Sequence, residues 1–475
     1  MAASALYSCT KEPDPIVEEA APALVSTSPE NGATDIASAS LDIVFTFDQN
    51  IKCSTSAATQ IVVTPEVTVS KVNAYGAALT VSLSSLERGT KYTVSLPQGL
   101  VQGFKENQKG SAAISLSFST KDKDPEPVHY TLDPTSSLSN ASASTRAKKV
   151  YQFLLEQSGN KVLSGVQSSG TANNNDYLNQ IYSRTGKHPA FAGYDFIFEQ
   201  YSPTPASWSW KINYEDMSAP IEHWNAGGLV GYMWHWNVPA SKEDWEKAKD
   251  FATNGYDFSG YNFYTEKTKF DIREILKEDT WQREYAIAEM DKVAGYLKIL
   301  KDKDIPVIWR PFHEAAGNTY TQWQSGAWFW WGRYGAEPCK ALWKMMYERF
   351  TNVHGLDNLI WVWTIDYVSG QEDAALEWYP GDDCVDIVGC DIYADDLKTK
   401  GEQYQFLVDV TKGKKLVTVS ECGNVPDPEE SLKAGHKWSW WMVWSDDYAL
   451  NTETYWKKLM GYSTTITREN MPSLK

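Results

Sequence analysis

Eight short apolar runs recur through the larger, C-terminal part of the chain, and most of them end on a polar or ionisable residue. They read "KVLSGV" (161–166), "PAFAGYDF" (189–196), "GLVGYMWH" (228–235), "PVIWRPFHE" (306–314), "NLIWVWTID" (358–366), "DIVGCDIY" (386–393), "LVTVSEC" (416–422) and "WSWWMVW" (438–444). Helical spacing separates several of them. Within Trp281–Lys303 the apolar residues Ile287, Met290, Ala294, Leu297 and Leu300 return every three or four positions. Eight strands joined by helical crossovers predict an α/β fold, the (β/α)8 or TIM barrel. A doubly wound open sheet is the alternative. That fold normally follows its first strand with a glycine-rich phosphate loop, and "SGVQSSG" carries neither GxGxxG nor a P-loop lysine.

The N-terminal part follows a different rule. Residues 1–23 are rich in Pro, Glu and Ala and read as a flexible tether. Residues 24–120 alternate in short strands such as Leu41–Phe47, Gln60–Pro65, Lys91–Leu96 and Ala113–Thr120, punctuated by "ENG" and "ERG" turns. That pattern predicts a small all-β sandwich of about 100 residues. Its opening "TSPENGATDIASAS" and closing "SLSFST" resemble a bacterial Ig-like domain, and it is read as a spacer. Residues 121–130 form a charged, proline-containing linker, and residues 131–475 make up the barrel domain.

A net charge of −17 argues against nucleic-acid partners, whose phosphates call for basic patches. The 21 Trp and 26 Tyr suit either a large aromatic core or rings that stack on sugar faces. No C-x-x-C pair occurs among the six cysteines, and no His cluster has metal-ligand spacing, so no metal or cofactor is expected. The segment "SALYSCTKEPDP" resembles the end of a bacterial lipoprotein signal. Cys9 is then the residue expected to carry lipid, on the outer membrane of a Gram-negative cell.

The polar ends of the eight runs present Asp195, His235, His313 with Glu314, Asp366, Asp391 with Tyr393, Glu421 and Trp444. In a (β/α)8 barrel, reacting residues collect at this end of the strands. Two of them, Glu314 and Glu421, suit hydrolysis of a glycosidic bond, which needs a proton donor for the leaving oxygen and a carboxylate facing the anomeric carbon. Alternation places Arg310, Phe312 and Glu314 on one face of the fourth strand. Arg310 there either holds a carboxylate ionised by a bidentate contact or belongs to a buried ion pair. His313 points elsewhere, toward the rim of the cleft. Rival chemistries fail on spacing, since "HEAAG" lacks the second His of HExxH and no G-x-S-x-G occurs.

"WRPFHE", "WFWWG" (328–332), "NLIWVW", "YPGDDCVDIVGCDIY" and "VSECG" together resemble glycoside hydrolase family 26, mostly β-mannanases, over roughly 148–444. The resemblance implies a retaining double displacement, with Glu314 as acid/base and Glu421 as nucleophile. It also implies that Tyr393 hydrogen-bonds the nucleophile, that His235 binds sugar on the glycone side, and that Trp328 and Trp444 face sugar. The segment 315–327 is longer than is usual in the family, and Trp323 within it either stacks on sugar or anchors its own loop. The expected partner is a β-mannan polysaccharide or oligosaccharide, cut internally by a monomeric, surface-tethered enzyme. The alternatives are the same barrel acting on β-1,3-xylan or mixed-linkage β-glucan, and a non-catalytic polysaccharide-binding protein.

Overall fold

The computed structural model describes residues 20–36, 40–104, 109–121, 128–168, 173–204, 211–317, 327–367, 375–393, 400–444 and 451–475. Cys9, Trp323 and most of the expected tether and linker lie outside the described residues. The chain divides into two compact units, Met1–Pro127 and Val128–Lys475.

The first unit is a sandwich of two four-stranded sheets. One sheet runs in the order Leu24–Ser28, Ser40–Phe47, Ala78–Ser84 and Thr68–Tyr75. The other runs Ala33–Ile36, Ile114–Thr120, Lys91–Leu96 and Val62–Thr64. Alternation decides which side chains face inward: Ile43, Phe45 and Phe47 are buried while the residues between them are partly exposed. With Val81, Val94 and Phe118 they form this unit's own core. The turns foreseen at "ENG" and "ERG" hold Gly32 at φ +88° and Gly89 at φ +65°, a region that disfavours residues with a Cβ.

The second unit is a closed eight-stranded parallel barrel, as the eight apolar runs predict. We number its strands β1 (Gly165–Gln167), β2 (Phe191–Asp195), β3 (Leu229–Met233), β4 (Val307–Arg310), β5 (Leu359–Ile365), β6 (Ile387–Ile392), β7 (Leu416–Cys422) and β8 (Trp441–Val443). Pairing proceeds in chain order, and β8 returns to β1 through Val166 and Val443. The strands are buried along nearly their whole length, because helices cover the outside and side chains fill the inside. The helix expected at 281–303 spans Trp281–Lys301, with the Thr280 side chain accepting from the Arg283 backbone N–H to cap it.

Two runs depart from expectation. "KVLSGV" is split: Val162–Leu163 pairs with Thr465–Ile466 outside the barrel, and only Gly165–Gln167 enters the closed sheet. Ser164 makes the break, donating both its backbone N–H and its hydroxyl to the Ile466 carbonyl. The fourth run is shorter than its apolar character suggests. β4 stops at Arg310, since Pro311 brings no N–H to a ladder. Phe312 and Glu314 then adopt φ +50° and +49°. Arg310, Phe312 and Glu314 therefore do not share a strand face, contrary to what alternation predicts.

Closure between β8 and β1 depends on close backbone approach. A Cβ on Gly165 would lie 2.4 Å from the Trp441 carbonyl oxygen. We expect Gly165→Ala to cost about 1–3 kcal/mol, as overpacking does, lowering the urea midpoint without changing the slope. A parental midpoint would contradict this account of the seam.

Candidate active site

The polar ends of the strands converge on Arg310, the last residue of β4. One guanidinium nitrogen lies 3.1 Å from Oδ2 of Asp391 on β6, and the other donates to Oε1 of Glu421 on β7. Arg310 thus divides itself between two carboxyl groups; it is not bidentate to either. Burial works against its charge, yet Glu421 and Asp391 raise its pKa above the ordinary arginine value. Burial and the neighbouring Glu421 push the Asp391 carboxyl well up, with Arg310 opposing them.

Glu421 reaches this position through a bulge. Cys390 pairs with Val419, but Asp391 pairs with Glu421, so β7 carries one extra residue, Ser420. Ser420 lines the barrel interior, its hydroxyl 2.9 Å from that of Thr364 on β5. Its neighbour Glu421 also turns inward, to Arg310. Regular alternation would send one of the two outward, and the bulge removes that conflict. The Tyr393 hydroxyl, just past β6, donates to Oε2 of Glu421 at 2.7 Å. Burial and then the Glu421 charge push this phenol's pKa far up, so it keeps its proton and remains a donor. Both oxygens of Glu421 consequently accept hydrogen bonds, the pattern that suits an ionised carboxylate. Tyr393 is itself 40% exposed, which puts it at the edge of the cleft.

Glu314 comes to the same mouth from the turn after β4. Trp328 donates its indole N–H to Oε2 of Glu314 at 3.0 Å. Burial, then the negative charges of Asp366 and Glu421, hold the Glu314 carboxyl well above the usual carboxylate range. Arg310 and the Trp328 donor oppose the shift. Glu314 and Glu421 therefore sit near enough for one charge to act on the other, in different surroundings, which is the condition for one to stay protonated while its partner is ionised. The turn itself is tightly held. The Trp331 indole donates to the His313 carbonyl at 3.0 Å, and the Gly317 amide donates to the Glu314 carbonyl at 3.1 Å. A Cβ on Gly332 would lie 1.7 Å from the Ala315 carbonyl oxygen, so only glycine lets "WFWWG" approach the turn this closely.

Other expectations change. His313 does not reach the rim: it is buried, with Nε2 3.1 Å from Nε2 of His235. Burial, His235 and Arg310 keep its pKa well below the ordinary value. His235 is likewise buried, and its Nδ1 lies 2.5 Å from Oδ2 of Asp195. Trp444 is partly exposed beside His235, with ring centroids 5.5 Å apart, whereas Trp330, Trp331 and Trp441 are core residues. Asp195 and Asp391 close apolar runs in the sequence, but nothing there assigns either a part. Their signal was the carboxylate itself, an ionisable group closing an apolar run.

Residues 139–470 match the family model described as glycosyl hydrolase family 26, and residues 18–120 match that of the bacterial Ig-like domain. A mannan endo-1,4-beta-mannosidase from Thermothelomyces thermophilus is 35% identical over 330 residues, which is 69% of this chain and 60% of the relative. The chain thus spans less than two thirds of that relative's length. Among solved structures, the family 26 domain of an endo-beta-mannanase/endo-beta-glucanase from Prevotella bryantii is 36% identical, with a TM-score of 0.63. The match covers 71% of this chain and 100% of that one. A beta-mannanase from a symbiotic protist of the termite Reticulitermes speratus, complexed with gluco-manno-oligosaccharide, is 30% identical, with a TM-score of 0.60, over 72% of this chain and 99% of that one. The family match takes in well over half of the sequence and all eight barrel strands, and the chain belongs to glycosyl hydrolase family 26.

Proposed function

We propose that the barrel is a retaining endo-β-1,4-mannanase. The observation that carries this reading is the unequal treatment of two carboxyl groups in one mouth. Arg310 and Tyr393 serve Glu421 with two donors, while Glu314 is buried beside negative charge. Glu421 attacks the anomeric carbon as Glu314 gives its proton to the departing glycosidic oxygen. A glycosyl ester forms on Glu421. Glu314, now a carboxylate, takes a proton from water, which attacks the same carbon and frees Glu421. Trp328 and Trp444 border the cleft and offer ring faces to the sugars. The choice of mannan rests on the relatives, a mannan endo-1,4-beta-mannosidase and two beta-mannanases.

Glu421→Ala and Glu314→Ala are each expected to lower turnover on mannan by at least about a thousandfold while the fold survives, since each removes one half of the reaction. External azide should restore turnover to Glu421→Ala with inverted product. A near-normal rate in either variant sinks the assignment. Products from mannan, galactomannan, β-1,3-xylan and lichenan, compared side by side, decide the polysaccharide.

The Trp328 contact fixes a pH effect. Its N–H favours the ionised form of Glu314, so Trp328→Phe should raise the Glu314 pKa further. Activity is lost as pH rises through that pKa, so the alkaline limb of the kcat/KM profile, which reports the free enzyme, should move to higher pH. An unmoved or acid-shifted limb contradicts the contact.

The surface tether belongs to the same proposal and rests on "SALYSC" alone. Cells fed a labelled fatty acid should incorporate it into this protein and lose the label in Cys9→Ala. Equal labelling of both rules out Cys9.

A further inference from the structure

A buried polar chain beside the two glutamates has no part in the steps above. Asp195, the last residue of β2, directs both carboxylate oxygens at His235. Oδ1 accepts the His235 backbone N–H at 3.0 Å, and Oδ2 lies 2.5 Å from Nδ1. The His235 and His313 rings meet edge to face with centroids 4.4 Å apart, bringing their Nε2 atoms to 3.1 Å. Phe263, Phe329, Trp331 and Trp444 surround the pair, and none of these side chains is a hydrogen-bond acceptor of the ordinary kind.

Proton accounting settles the tautomers. A carboxylate only accepts, so Nδ1 of His235 carries a proton. In the neutral ring Nε2 of His235 is then an acceptor, and the proton between the rings belongs to Nε2 of His313. That leaves Nδ1 of His313 bare, and it is buried with no hydrogen-bond partner among the described residues. The opposite arrangement makes His235 an imidazolium and puts a proton on Nδ1 of His313, a buried donor with no acceptor, in a pocket already charged by Arg310.

The end of this chain is the backbone of the acid turn. His313 lies between Phe312 and Glu314, both at positive φ, a conformation that non-glycine residues hold only under constraint. The constraint on its side chain comes from His235 and the constraint on its carbonyl from Trp331.

We propose that Asp195 is a positioning residue for Glu314: by fixing the tautomer of His235 it orients His313, and with it the backbone that carries the acid. This rests on Glu314 being the proton donor. It also leaves both His235 ring nitrogens occupied, so His235 offers a sugar its ring face and not a ring N–H.

Nitrogen-15 spectra of the histidine-labelled full chain test the tautomers, with His235→Gln and His313→Gln assigning the signals. A proton on Nδ1 of His235 and one on Nε2 of His313 are expected. A charged His235, or a proton on Nδ1 of His313, overturns the proposal. In Asp195→Asn one side-chain atom becomes a donor and cannot accept from His235. With the fold retained by near-UV circular dichroism, kcat on mannan should fall about 10- to 100-fold with KM within about twofold, as misplacement of a reacting group does. A parental kcat, or a loss carried by KM alone, overturns the proposal. A parent chain inert on every β-glycan sinks the proposed function instead, and the nitrogen spectra still decide the tautomers.

Discussion

Arg310 is the charge around which the mouth of the barrel is built. Asp391 and Glu421 touch it, and Glu314 and Asp366 lie in the same electrostatic neighbourhood. Among the described residues of the mouth, one cation faces four carboxyl groups and cannot neutralise them all, and burial makes every extra negative charge expensive. The site must therefore keep at least one carboxyl group protonated. Geometry decides which. Glu421 receives donors from Arg310, which it shares with Asp391, and from Tyr393, while Glu314 receives a single indole donor. Removing one partner from a buried pair of this kind typically costs about 3–5 kcal/mol, so the arginine holds the barrel mouth together as well as setting its charges.

The reading of the chain from sequence succeeded where a periodic rule applied. β7 spans Leu416–Cys422, the full extent of its apolar run, and the sandwich strand Lys91–Leu96 also lies where alternation puts it. It failed where a non-periodic device intervened. Pro311 ends a strand that hydrophobicity would extend, and two residues at positive φ carry Glu314 back to the cleft by a route that parity does not describe. His313 looked like a rim residue because its partner, His235, lies far away in the chain and nothing local announces the contact. The division of Arg310 between two carboxyl groups requires Asp391, whose alignment with Glu421 depends on the bulge.

The aromatic content has two separate explanations. Most of the indoles are structural: Trp309, Trp330, Trp331, Trp361 and Trp441 are buried. Trp331 shows how a core residue shapes a cleft without reaching it, since its N–H holds the His313 carbonyl. Gly332 beside it allows the contact, so the "WFWWG" segment supports the acid turn from behind while Trp328 meets it from the front.

The additional residue in β7 has a consequence for how this strand can change over evolutionary time. Elsewhere in the barrel a run may gain or lose an amino acid at its ends and let a loop absorb the difference. Here the count from Leu416 to Glu421 is itself part of the active-site geometry. Dropping Ser420 would restore a regular ladder and leave the glutamate opposite Asp391, still facing inward; what the extra residue secures is a second inward group, the hydroxyl that meets Thr364.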